Sequence, residues 1–276
     1  MKNLLICISF YYKKERYKYL NALIKNFLSY DVDLDIIIDT NNKDAINLIY
    51  EEFSKEKIKI FVHDNLENNF FLTWKHRQHF KNNILKYKNF YYTEDDIYLS
   101  FKNYKNYILE FSRLWPNYIP SFVRIESYEK DLYHTDSYVK TFIDKNDIVK
   151  IQDQIYVSIH NSYHGFWIMP QEALLKCLNE KFCQPIHSEK TREIAASFGL
   201  QVINLKRNKS KLFVHINNLL NSNDIKKEGL LKLEKYKYEI SDTSYSFHLP
   251  NNYIHDKKYN LAKIKIQDVV KFKKIL

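Results

Sequence analysis

Two hydrophobic periods alternate along the N-terminal part of the chain. Leu4 to Phe10 is an apolar run broken only by Ser9, which predicts a strand buried on both faces. From Lys14 to Phe27, the residues Tyr17, Leu20, Ile24 and Phe27 recur at three- and four-residue intervals, the spacing of one helix face. Asp35-Ile36-Ile37-Ile38-Asp39 predicts a second strand, Asp44 to Phe53 a second helix and Lys57 to Val62 a third strand. Strands alternating with helices imply a parallel α/β sheet, whose binding residues gather beyond the carboxyl ends of its strands. Phe10-Tyr11-Tyr12, Asp39-Thr40-Asn41 and His63-Asp64-Asn65 fall at such ends.

Phe71-Leu72-Thr73-Trp74-Lys75-His76-Arg77 then opens a helix running to about Tyr87. Its N-terminus is either a diphosphate site, with Lys75 and Arg77 close by, or an aromatic staple above a basic, solvated face. Next comes Asn89-Phe90-Tyr91-Tyr92-Thr93-Glu94-Asp95-Asp96-Ile97-Tyr98-Leu99-Ser100, an aromatic strand leading straight into three carboxylates. Tyr and Phe favour a half-buried pleated surface, whereas carboxylates resist burial without a partner or a metal. The triplet is therefore either a hard-cation site at a sheet edge or a solvated turn.

Farther on, Tyr104 to Leu114 has helical spacing and ends at Pro116 and Pro120. Ser121 to Glu126 alternates as a strand with one wet face, on which Arg124 and Glu126 can pair, and Val149 to Ile159 alternates in the same way. Tyr128 to Lys150 is irregular apart from a candidate hairpin. Gly165-Phe166-Trp167 precedes a helix at about Glu172 to Asn179; Gly165 suits either a close backbone approach or an unusual dihedral, and the two aromatics serve either a sugar face or the core. Ser188 to Gly199 carries a Ser cap, early acids Glu189 and Glu193, and a Gly stop, so it predicts a helix. Gln201 to Leu205, Lys211 to Ile216 and Tyr236 to Ile240 read as strands, and Ile264 to Leu276 as a helix.

Composition narrows the picture modestly. The 276 residues, 45% hydrophobic and 16% aromatic, suffice for one large domain with an appendage. The net charge of +10 attracts nucleotides, nucleic acids and anionic membranes alike. Cys7, Cys177 and Cys183 show no metal-type pairing, which fits buried thiols in a reducing cytoplasm. No apolar run approaches the roughly 18 residues of a membrane span. The Gly-rich phosphate loop and the GxGxxG pattern are both absent, which removes the main support for ATPase or dinucleotide readings.

The βαβαβ start, the strand closing on Glu94-Asp95-Asp96, the Gly165-Phe166-Trp167 segment, the acid-bearing helix and the late His215 together resemble the GT-A glycosyltransferases over about residues 3 to 220. The segments Phe71 to Arg77, Tyr92 to Ile97 and Phe122 to Glu126 look like bacterial or viral polysaccharide members of that family. The resemblance implies a Rossmann-like mixed β-sheet flanked by helices. It divides 1–220 into a nucleotide-sugar half (about 1–115) and an acceptor half (about 116–220), with a basic C-terminal extension at 221–276. It implies Mn2+ or Mg2+ held at a DxD-type motif, with Glu94 in the first place; Asp96 is the direct ligand, Glu94 is near the metal or the ribose, and His215 is either a further ligand or a packed residue. Phe10, Tyr11, Asp39, Thr40, Trp74, Lys75, Arg77 and Asp95 would line the nucleotide sugar, and Gly165, Phe166 and Trp167 the acceptor. Glu193 or Glu189 would take the acceptor's proton in an inverting enzyme, or simply favour the helix dipole. The implied reaction moves a sugar from a nucleotide-diphosphate donor to a saccharide or lipid-linked acceptor, as in capsule or lipopolysaccharide synthesis.

Two rival classes remain. Interleaved Tyr, Phe and Lys suit a nucleic-acid-binding module, although no RNA- or DNA-binding signature is present. A metal-dependent nuclease or phosphatase would add Asp39 and Asp64 to the triplet. The basic tail around Ile264, Ile266, Val269, Val270 and Phe272 is either a packing helix or a contact with the inner face of the cytoplasmic membrane.

Overall fold

The structure is a computed structural model, and it describes residues 1–134, 141–143, 148–157, 165–179, 181–185, 212–218, 238–255, 264–268 and 270–272. The chain forms two units: Met1–Phe101 with Gly165–Asn204, and Lys102–His164 with Leu205–Leu276. Each unit is therefore discontinuous in sequence, where the sequence suggests consecutive halves and a tail.

The first unit is built on a five-stranded sheet. Its strands are β1 (Lys2–Phe10), β2 (Leu34–Thr40), β3 (Ile58–Val62), β4 (Tyr87–Glu94) and the later strand Phe166–Pro170. The spatial order is Phe166–Pro170, β4, β1, β2, β3. β1 runs parallel to both β2 and β4, with Ser9 opposite Asp39 on one side and Glu94 on the other. Leu4 to Phe10 is buried throughout, as expected of a central strand covered on both faces. Phe166–Pro170 returns antiparallel on β4, setting Trp167 opposite Tyr92 and Met169 opposite Phe90.

Helices α1 (Tyr17–Leu28), α2 (Asp44–Tyr50) and α3 (Lys75–Asn83) connect these strands. α1 buries Leu20, Leu23, Ile24 and Phe27, the stripe its spacing predicts. The expected helix from Phe71 to Tyr87 is two pieces, a 3-10 segment at Asn69–Trp74 followed by α3. Asn68 caps the first piece, its side chain accepting from Phe70 N. The order in this sheet places the sharpest change of direction between β1 and β4: the chain moves outward from β1 through β2 to β3, then returns to the other side of β1. Crevices at such a switch point, outside the carboxyl ends, are where open α/β sheets bind ligands.

Gly165 ends the excursion back into this unit. Its φ of 81° is the left-handed region that favours Gly. A Cβ there would lie 2.6 Å from Ile97 Cγ1, and its carbonyl accepts from Glu94 N at 2.9 Å. It fixes the end of β4, the strand that carries the carboxylates.

The second unit begins with α4 (Phe101–Leu114), which buries Tyr104, Tyr107, Glu110, Phe111 and Leu114 on one face. Its strands Ile148–Ile151, Gln154–Val157, Leu212–Asn218 and Tyr238–Ile240 form one sheet, with Ile119–Pro120 added beside Leu212. A second sheet orders Ile264–Lys265, Asp131–His134, Val123–Tyr128 and Tyr245–His248. The stretch expected as one strand from Val149 is a hairpin whose turn places Gln152 at φ 55°.

Two further sequence expectations are corrected in this unit. Arg124 and Glu126 do not share a wet face; both are buried, and Glu126 accepts from Ile254 N at 2.8 Å, Tyr253 N at 3.3 Å and His248 Nδ1. The C-terminal segment expected as one helix is, over its described part, a short strand at Ile264–Lys265, a 3-10 turn at Ile266–Asp268 and a strand at Val270–Phe272 parallel to Thr141–Ile143.

Candidate active site

Loops at the carboxyl ends of β1 and β4, together with the 3-10 segment Asn69–Trp74, enclose a cleft of about 340 Å3, within the usual range of small-molecule pockets. It is lined by Ser9 near the end of β1 and Tyr11, Lys13 and Arg16 after it, by Asn69, Phe70, Leu72 and Thr73 from the 3-10 segment, and by Glu94 at the end of β4 and Asp95 just beyond it. The segment is tied to β1 by Ser9 Oγ donating to Leu72 O at 3.4 Å. Thr73 Oγ1 donates to Phe70 O at 2.7 Å, closing its turn.

The carboxylates are not a solvated turn. Glu94, Asp95 and Asp96 are 6%, 3% and 5% exposed, so their charge requires compensation. Arg16 supplies it. Its Nε donates to Asp95 Oδ2 at 2.8 Å, and its Nη2 donates to Asp95 Oδ1 at 2.6 Å and to Asp96 Oδ2 at 2.8 Å. Burial works against the charge on Arg16, but the hydrogen bonds and charges of Asp95 and Asp96 outweigh it and hold the guanidinium above its ordinary pKa. For Asp95, burial dominates, reinforced by Asp96 and Glu94 and opposed by Arg16; its carboxyl is pushed up to about 7.

A divalent metal does not fit between the facing oxygens of Asp95 and Asp96 as they are arranged. Asp95 gives both oxygens to Arg16, and Asp96 Oδ2 goes to the same guanidinium. Among the described residues, no three His, Cys, Asp or Glu side chains are grouped as metal ligands. His215 lies on the strand Leu212–Asn218, opposite Tyr156, and its side chain is outside what is described.

Other predicted site residues are distributed unevenly. Tyr11, Glu94 and Asp95 line the cleft. Phe10 and Thr40 are fully buried at the ends of β1 and β2. Asp39 is also buried, its Oδ1 accepting from His63 Nε2 at 2.8 Å and His79 Nε2 at 3.0 Å. Asp39 Oδ1 is thus taken up by two imidazoles, and Ser9 of β1 stands between Asp39 and Glu94 in the sheet register. Lys75 is half-buried at the start of α3.

Trp74 and Arg77 are packing residues. Arg77 is 2% exposed, its guanidinium stacked 4.0 Å from the Trp74 ring centroid, and its Nη1 donates to Phe182 O at 3.1 Å. Burial pulls its pKa down to about 10, so it stays charged inside the fold rather than meeting a diphosphate. Phe166 and Trp167 likewise pack inside: Trp167 meets His76 and Phe80 edge-on, and Phe166 meets Tyr91. Glu189 and Glu193 lie outside the described residues.

Ser9, Lys13, Arg16, Asn69, Phe70 and Thr73 do not stand out in the sequence. The available signal is the cationic run Lys13-Lys14-Glu15-Arg16 directly beyond the first strand, where a parallel sheet puts its ligands.

No family model matches the chain, and no curated protein matches it. Among solved structures it is similar to S. aureus TarS residues 1–349, at 10% identity over 76% of this chain and 57% of that one, with a TM-score of 0.41. It is also similar to the same protein in complex with UDP-GlcNAc, at 12% identity over 63% of this chain and 47% of that one, with a TM-score of 0.38. The chain spans about half the length of these structures. Among the described residues, no helix is long and apolar enough to cross a membrane.

Proposed function

We propose that this chain is a glycosyltransferase whose first unit binds the nucleoside diphosphate part of a nucleotide sugar in the cleft between the ends of β1 and β4. One observation carries the reading. A buried acid triplet and an arginine meet at the switch point of a parallel sheet, beside a cleft large enough for a nucleotide fragment. Charge develops on a leaving diphosphate during sugar transfer, and fixed cations placed to meet it stabilise that charge. Lys13 and Arg16 both line the cleft. Tyr11 and Phe70 offer aromatic surface to a base or a sugar. The acceptor in this reading is a saccharide or lipid-linked saccharide, with Glu189 or Glu193 as the candidate base. Dependence on Mn2+ or Mg2+ gains no support from the arrangement of Asp95 and Asp96.

The test is incubation of the purified protein with a panel of uridine-, guanosine-, cytidine- and thymidine-diphosphate sugars, following nucleoside diphosphate release. Release from at least one donor, accelerated by a saccharide acceptor, is the expected result. Cleavage of oligonucleotides with no action on any nucleotide sugar would replace this reading with the nuclease one.

A further inference from the structure

We infer that Arg16 is the resident cation of this site: clamped by Asp95 and Asp96, it meets the donor's diphosphate where a divalent metal would otherwise sit. This assignment rests on the nucleotide-sugar reading and deepens it.

Geometry makes guanidinium and metal mutually exclusive. Arg16 Nη2 lies 2.6 Å from Asp95 Oδ1 and 2.8 Å from Asp96 Oδ2. Mg2+ binds oxygen at about 2.0–2.1 Å, so an ion bridging those two oxygens would fall on Nη2. Nε takes the remaining oxygen of Asp95, so both oxygens of that carboxylate are engaged by the guanidinium along the shared edge. The clamp is directional, since a planar guanidinium matches a carboxylate along one edge and keeps its other donors in a fixed fork. Here the Nε–Nη2 edge is used, while Nη1 makes no hydrogen bond among the described residues, and Arg16 lines the cleft. A guanidinium anchored on one side and open on the other is suited to bridging a carboxylate pair and a phosphate oxygen.

Two neighbours act in the same sense. Lys13 brings a second positive charge to the cleft wall. Arg16 also sits at the start of the twelve-residue α1, where the helix dipole favours an anion. The acids, on this account, hold an arginine in place instead of holding a metal. Lysine would not substitute fully, because an ammonium is a point charge that cannot span both carboxylates and still present donors in a fixed plane.

Isothermal titration of the full-length protein with UDP, GDP, CDP and dTDP, in EDTA and then in Mn2+, tests the assignment on wild type, Arg16→Ala and Arg16→Lys. Folding of each variant is checked by circular dichroism. The expected result is binding of at least one nucleoside diphosphate in EDTA, weakened about tenfold or more in Arg16→Ala and less in Arg16→Lys. Mn2+ titrated without nucleotide should bind more tightly to Arg16→Ala than to wild type, because the acid pair is then open. If Arg16→Ala does not fold, Arg16→Lys carries both comparisons. Wild-type binding that requires Mn2+, or a folded Arg16 variant with unchanged nucleotide affinity, overturns the assignment and leaves the glycosyltransferase reading standing. No binding of any nucleoside diphosphate, with or without Mn2+, overturns both.

Discussion

Replacing Asp95 by Asn should make the protein relatively more stable as the pH rises. Asp95 is 3% exposed, and its carboxyl is pushed up to about 7, first by burial and then by Asp96 and Glu94 against the opposing pull of Arg16. An ordinary Asp titrates near 3.9. A carboxyl raised on folding binds its proton more tightly in the native state. Its favourable contribution is therefore fully present below about pH 4 and is lost as the pH rises through about 7. Between pH 5 and pH 8, linkage puts that loss at roughly 2–3 kcal/mol. Asn cannot titrate, so Asp95→Asn lacks this slope, whatever offset it carries from its altered bonds to Arg16. At roughly 2–4 °C per kcal/mol, the difference in Tm between Asp95→Asn and wild type should move by about 5–10 °C in the variant's favour across that range. Differential scanning calorimetry at several pH values in a low-ionisation-heat buffer reads it directly. Parallel pH profiles for the two proteins would refute the burial argument for Asp95.

Other outcomes follow from the same packing. Gly165→Ala should destabilise the first unit by about 1–3 kcal/mol, because the added Cβ meets Ile97 at 2.6 Å on a backbone at φ 81°; urea denaturation checks it, and a neutral result would show that Ile97 moves aside freely. Glu126→Ala should cost about 3–5 kcal/mol, since it strands His248 and two backbone N–H groups in the interior of the second unit, and loss of that unit's unfolding transition at ambient temperature is its extreme form. Trp167→Ala should lower stability by about 3–5 kcal/mol; once donor hydrolysis is measured, a folded Trp167→Phe should keep its donor KM, whereas a raised KM would place that ring at the substrate.

The first unit was legible because its periods are clean. β1 is an apolar run, α1 a single stripe, and β4 an aromatic strand, and each forms where the pattern places it. The second unit was harder to read for local reasons. The hairpin at Ile148–Val157 turns through Gln152 at φ 55°, with neither Gly nor Asn to announce it. Arg124 and Glu126 alternate like wet residues, yet partners distant in sequence, Tyr253, Ile254 and His248, satisfy them inside. At the site, the carboxylates announced themselves because charge after an aromatic strand is anomalous, while Arg16 is one cation in a run of several. What singles it out is the closure of β1 beside β4, seventy-nine residues apart in sequence at the Arg16–Asp95 bond. Trp74, Arg77, Phe166 and Trp167 were misleading for the opposite reason: residue types common in binding sites are also the ones that pack most area.

A crystal structure of the protein with a nucleoside diphosphate bound tests the role of Arg16 most directly. If Arg16 is the resident cation, the diphosphate lies within hydrogen-bonding distance of it, in the cleft bounded by Ser9, Lys13, Asn69 and Thr73, with Asp95 and Asp96 still on the guanidinium. A nucleotide bound away from β1 and β4, or a divalent metal seated on Asp95 and Asp96 with Arg16 displaced, would contradict that role.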